Sequence, residues 1–147
     1  MQVLLKIQRF GNLLHRRHIP ILPKVVYYLN YFLFNSSVPS ETEIGKGSKF
    51  SYGGIGVVIH NRAVIGKNCT IGQGITIGGR SKEYQVPIIG DNVYLGAGCR
   101  ILGPIKIGDS VIVAPNSVVL KDVPSNSMVA GIPAAIKKTG ITPSDYI

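Results

Sequence analysis

Three histidines are available for acid–base chemistry in this 147-residue chain: His15, His18 and His60. An imidazole, with an unperturbed pKa of roughly 6.5, is the side chain best suited to take a proton near neutral pH. His15 and His18 belong to a basic run, His15-Arg16-Arg17-His18, beside a helical pattern, and are expected to face solvent. His60 is set apart. It is the sole histidine of the region that repeats, and it stands where most repeats carry glycine. It also follows a stretch, Tyr52-Gly53-Gly54-Ile55-Gly56, in which the repeat slips phase. Breaks in an otherwise consistent pattern tend to mark function or strain. His60 is therefore the candidate general base, with Tyr52 a candidate to orient its ring or an acceptor.

The element that positions these residues is a period of six. Ile59, Ile65, Ile71, Ile77, Ile89, Leu95, Ile101, Ile107, Val113 and Val119 keep one phase, broken only at Glu83. Glycine usually follows the anchor, as in Gly66, Gly72, Gly78, Gly90, Gly96 and Gly108. Such a hexapeptide ladder predicts an all-β fold, a parallel β-helix with a short N-terminal helical segment. With three hexapeptides per coil, the residue eighteen after His60 is Gly78, one coil above it. The run Gly79–Pro87 replaces one hexapeptide with polar sequence and reads as a loop extruded from a corner, a position where binding residues accumulate.

The expected division is a helical cap over 1–36, the β-helix over 37–134 and a C-terminal tail over 135–147. In the first part, Val3, Ile7, Phe10 and Leu14 share a helical face, and a second helix starts near Pro23. This part either caps the first coil or touches a membrane surface through its basic residues. Ile21–Phe34 is apolar but too short to span a bilayer. The net charge is +9, which invites an anionic partner. It is dispersed and lacks interleaved aromatics, so nucleic acid is not expected. Cys69 and Cys99 both fall on inward positions of the repeat, on different sides of the coil. Neither a disulfide nor a thiolate metal site is expected, which suits a reducing cytoplasm.

Gly56-Val57-Val58-Ile59, Ala63-Val64-Ile65-Gly66, Thr76-Ile77-Gly78-Gly79, Ile101-Leu102-Gly103, the run Asn116–Pro124 and the exit Val129–Ala134 resemble the hexapeptide-repeat acyltransferases. Within them the likeness is to the serine acetyltransferase-type branch. The resemblance implies left-handed coils, a homotrimer with active sites between subunits, and acetyl-coenzyme A as donor. Short chains of this kind resemble enzymes that acetylate a hydroxyl or amine of a sugar or polysaccharide precursor. Serine O-acetylation is the alternative reading, and a non-catalytic β-helix scaffold is the rival from another class. A metal-dependent hydratase would need several histidines per site, and no metal is expected.

Acyl transfer needs a base for the acceptor, donors for the oxyanion and a groove for the thioester. The resemblance places the family's histidine in the slot that here holds Tyr52, so His60 is assigned by chemistry. The family's acid partner lies upstream, where Glu41 and Glu43 flank Thr42, eighteen residues before His60. The backbone N–H of Gly79 matches a family glycine and is the candidate oxyanion donor. For coenzyme A the matching corner positions are Gly78, Gly79, Ala97, Gly98, Ala114 and Pro115. Lys121, Lys137 and Lys138 are the candidates for its phosphates.

Overall fold

A computed structural model describes residues 2–145 of the chain. Two helices lead in, α1 (Val3–Arg16) and α2 (Leu22–Phe34). A parallel β-helix follows, built from strands of two or three residues that recur on three faces. The first face holds β1 (Glu43–Ile44), β4 (Val64–Ile65), β7 (Ile88–Ile89) and β10 (Lys106–Ile107). The second holds β2 (Lys49–Phe50), β5 (Thr70–Ile71), β8 (Tyr94–Leu95) and β11 (Ile112–Val113), then β13 (Ser127–Gly131) and β14 (Ala134–Thr139). The third holds β3 (Val58–Ile59), β6 (Thr76–Gly78), β9 (Arg100–Leu102) and β12 (Val118–Val119).

Each anchor points inward and each stacks on the anchor of the next coil. Ile59 pairs with Ile77, Ile77 with Ile101 and Val119 with Ile101, and all four are buried. Burying one such side chain is worth about 1.5–3 kcal/mol, so the ladder itself is the core. Cys69 and Cys99 are buried free thiols on the strands' approach to different faces. The corners need a left-handed residue. Between the first and second faces it is Gly47, then Asn68, Asn92, Ser110 and Asn126, with φ from 54° to 82°. Asparagine tolerates that region better than most side chains.

The two irregularities differ in kind. The phase slip is a 3-10 turn, Ser51–Gly54, at the corner between the second and third faces. It adds three residues, so Phe50 pairs with Ile71 and Ile44 with Ile65. The loop after Gly79 adds a hexapeptide where the sequence pattern suggested a replacement. Ile65 pairs with Ile89, twenty-four positions on, while Ile89 pairs with Ile107, eighteen on. Its six extra residues bulge from the corner between the third and first faces.

The helices close the first coil. The side chain of Gln2 accepts from Phe50 N–H at 2.8 Å and donates to Phe50 O at 3.0 Å, so it mimics a further strand. Gln8 donates to Thr42 O at 2.9 Å and Asn12 to Ser40 O at 2.8 Å. These amides satisfy edge carbonyls that an open coil would leave bare. Gly11 is required for this docking, because a Cβ there would sit 2.8 Å from Val26 Cγ1 and against Ser40. At the other end, residues 134–139, most of them placed in a tail by the sequence pattern, form β14 antiparallel to β13. Ile141 is buried beyond it and its N–H donates to Asn126 O at 3.0 Å. Residues 146 and 147 of that expected tail lie outside the described residues.

Candidate active site

His60 leaves β3 at the corner between the third and first faces. Its N–H donates to Ile77 O at 2.8 Å, which sets it directly beneath Gly78, as the eighteen-residue count expects. The ring lies under the next residue: a Cβ on Gly79 would be 3.9 Å from His60 Cδ2. Gly79 and the candidate base thus share one corner. Leu102, Gly103 and Leu120 continue that corner upward, and Lys121 follows on it.

The extruded loop folds back over this corner. The guanidinium of Arg62 stacks on the ring of Tyr84 at 4.1 Å to the centroid and donates to Tyr84 O. Val86 is buried, 3.4 Å from where a Gly79 Cβ would be. Arg62 and Tyr84 therefore wall the His60 corner. The sequence pattern singled out neither, although the placement of the loop after Gly79 was a signal for them.

The ring of His60 is held through Nδ1, which accepts from the backbone N–H of Arg62 at 3.1 Å. A backbone N–H can only donate, so the neutral imidazole carries its proton on Nε2 in this arrangement. The expected carboxylate partner is not on the ring. Glu43 instead pairs with Arg16 at 3.5 Å, and Glu41 lines a cleft of about 390 Å³ with Lys24, Tyr27, Tyr28 and Asn61. The count that placed Thr42 beneath His60 misses by three, because Ser37 pairs with Val58 and sets Pro39 below the histidine. Thr42 still reaches it: its hydroxyl donates to His60 O at 3.2 Å. Partial desolvation, then the Arg62 charge, hold the imidazole pKa below its ordinary value. Both effects favour the neutral ring.

The remaining candidates sit elsewhere. Tyr52 is 83 % exposed on the opposite edge of the third face, at the corner of the 3-10 turn, with φ 50°. It cannot orient His60 of its own chain. Ala97, Gly98, Ala114 and Pro115 lie on that same second-to-third corner, stacked so closely that a Cβ on Gly96 would be 2.5 Å from Pro115 N. Arg100, which the sequence pattern did not select, sends its guanidinium to Gly74 O on this corner. Gly98 needs its φ of +71° and its missing side chain, since a Cβ would strike Asn116. Lys137 and Lys138 are on β14, with Lys138 opposite Met128, away from the Gly131 end of β13 that adjoins this corner. Within one chain the structure brings together His60, Gly78, Gly79 and Lys121 at one corner. It brings Tyr52, Ala97, Gly98, Ala114 and Pro115 together at another.

Residues 87–121 match the family described as bacterial transferase hexapeptide (six repeats), and residues 54–82 match the hexapeptide repeat of succinyl-transferase. The serine acetyltransferase of Synechococcus elongatus is 36 % identical over 130 residues, covering 87 % of this chain and 53 % of the relative. That of Staphylococcus epidermidis is 42 % identical over 127 residues, covering 85 % and 59 %. The chain belongs to the hexapeptide-repeat acyltransferases, on their serine acetyltransferase-like branch. Solved members of that branch superpose closely. A Brucella abortus serine acetyltransferase in complex with coenzyme A matches with a TM-score of 0.88 at 32 % identity, over 94 % of this chain and 56 % of that one. A soybean serine acetyltransferase complexed with serine matches at 0.85 and 37 %, over 90 % and 55 %. This hexapeptide-repeat chain spans about half the length of the relatives it matches.

Proposed function

We propose that the chain is an acetyl-coenzyme A-dependent O-acetyltransferase whose acceptor is the hydroxyl of serine. The observation that carries this reading is the His60–Gly79 corner, a neutral imidazole against a glycine backbone, on a scaffold that matches serine acetyltransferases complexed with coenzyme A and with serine. The resemblance to short hexapeptide-repeat acyltransferases implies a sugar acceptor, and the relatives favour serine over it.

In this reading His60 takes the hydroxyl proton as the acceptor oxygen attacks the thioester carbonyl. The backbone N–H of Gly79 stabilises the oxyanion, the C–S bond breaks, and the imidazolium returns the proton to the departing thiolate. Nε2 must then be unprotonated, which requires the Nδ1–H tautomer and loss of the Arg62 contact. One exposed hydrogen bond is worth about 0.5–1.5 kcal/mol, at most roughly tenfold in rate. That is small beside the 10²–10⁴-fold or so a positioned base contributes. The small residues at Ala97, Gly98, Ala114 and Pro115 suit a pantetheine arm, and they stand on the other corner. A homotrimer in which one subunit's His60 corner meets its neighbour's coenzyme A corner completes the site. Lys121 is the phosphate candidate closest to the reacting corner, while Lys137 and Lys138 serve only from the second face.

A sugar hydroxyl is the second reading, favoured by one departure. The slot of the family's histidine holds Tyr52, so the acceptor side is not that of the serine enzymes. An acceptor competition decides between them. Serine, free sugars and nucleotide sugars are offered together with acetyl-coenzyme A, and the acetylated product is identified by mass. Serine is the expected product; an acetylated sugar with untouched serine selects the second reading. No thiol release with any acceptor removes both.

A further inference from the structure

Helix α2 is built the wrong way round for a helix in water. Its stripe Val25, Tyr28, Leu29, Phe32 and Leu33, spaced as one helical face, is exposed, with Phe32 at 80 %. Its inward residues include Asn30, fully buried, whose Nδ2 donates to Leu4 O while its Oδ1 has no partner. A helix that buries an amide and exposes five large apolar side chains faces an apolar medium on its outer side. The patch runs on past the C-terminus of α2. A groove of about 260 Å³ joins Phe32 and Leu33 to Tyr52 and Ile55 on the first coil.

Charge says what that medium is. Residues 1–36 carry five Lys and Arg and no Asp or Glu. Two of the five are turned to the coil, Arg9 to Gly45 O and Arg16 to Glu43. The other three are exposed. Lys6 and Arg17 stand with Phe10 and Leu13 at the spacing of one exposed face of α1, and Lys24 is on α2. The helices themselves carry no acid, and Glu41 of the first coil lines a cleft with Lys24 and Tyr28; an apolar face flanked by cations is the pattern of a helix lying in the headgroup layer of an anionic bilayer.

We infer that the outer face of α1 and α2 docks on an anionic lipid surface. Neither helix is long and apolar enough to cross a membrane, so the contact is peripheral. The helix pair closes one end of the β-helix. In a closed ring of parallel copies all the helix pairs therefore point the same way and bind one surface together. This does not depend on the acceptor.

The chain has no tryptophan, so Phe32→Trp makes a single fluorescent reporter on an exposed site. Flotation and emission are measured with phosphatidylcholine vesicles with and without phosphatidylglycerol. The inference expects flotation and a blue shift only with the anionic vesicles, weakening as salt is raised. Adding Lys6→Glu and Arg17→Glu weakens binding by about fivefold or more per site, without shifting the melting temperature. Absence of flotation overturns the inference, and so does equal binding to neutral vesicles. An emission already blue-shifted without lipid, and dependent on protein concentration, overturns it in favour of a second copy on this face.

Discussion

At the scale of single residues the chemistry turns on His60, and its surroundings give the sign of the pH dependence. In the proposed mechanism the base is the neutral imidazole. Its pKa is held below the ordinary 6.5 by desolvation and by Arg62. Activity therefore rises with pH through a midpoint below 6.5. His60→Asn is expected to lower kcat by about 10²–10⁴-fold and to remove that acid limb from the kcat/KM profile. A variant that keeps both shows that the base lies elsewhere. Arg62→Ala removes the positive neighbour and the Tyr84 stack, so the limb moves up toward 6.5. The two thiols behave in the opposite sense. Burial raises the pKa of Cys69, and pushes that of Cys99 to about 12. As the thiolate is the reactive species, an aromatic disulfide reagent finds no reactive cysteine in the native chain. Released coenzyme A thiol is thus read without background; two fast-reacting thiols would contradict the packing.

At the scale of elements, the loop after Gly79 is the feature that can be removed cleanly. It adds six residues to one coil, so deleting 80–85 returns that coil to eighteen residues. Circular dichroism and the melting temperature are expected to change little, because the anchors Ile77 and Ile89 keep their faces. Acetyl transfer is expected to fall, because Tyr84 no longer closes the His60 corner. A deletion that unfolds the chain, or one that leaves turnover unchanged, refutes that role. The elements were also what the sequence showed best. Period six encodes the inward anchors directly, so Ile59 to Val119 could be placed before any coordinates. Eighteen residues on from His60 is Gly78, and it is there. The same count failed backwards, since the three residues of the Tyr52 turn make that coil twenty-one long. What the ladder could not carry was hydrogen-bond direction. Nothing in the pattern says that Arg62 N–H, and not a glutamate, holds Nδ1. Nor does it mark Tyr84, whose role depends on how a loop folds back.

At the scale of the whole molecule, the two candidate half-sites stand on opposite edges of one face. His60 and Gly79 occupy one edge; Ala97, Gly98, Ala114 and Pro115 occupy the other. One chain cannot hold a thioester carbonyl beside His60 and its pantetheine arm on the far corner of the same face. The proposed reaction then requires two copies, and a closed ring would supply one complete site per interface. Mixing tests this without a complex structure. His60→Asn disables the base corner, and Ala114→Trp fills the coenzyme A corner with a bulky ring. Each variant alone is expected to be inactive yet folded. Unfolded together and refolded as mixed rings, they place an intact base corner against an intact coenzyme A corner at about one interface in four. Turnover should return to roughly that fraction of the native value. A mixture as dead as its parents would mean that both disabled corners serve the same chain. The arrangement of corners would then describe the fold without describing the active site.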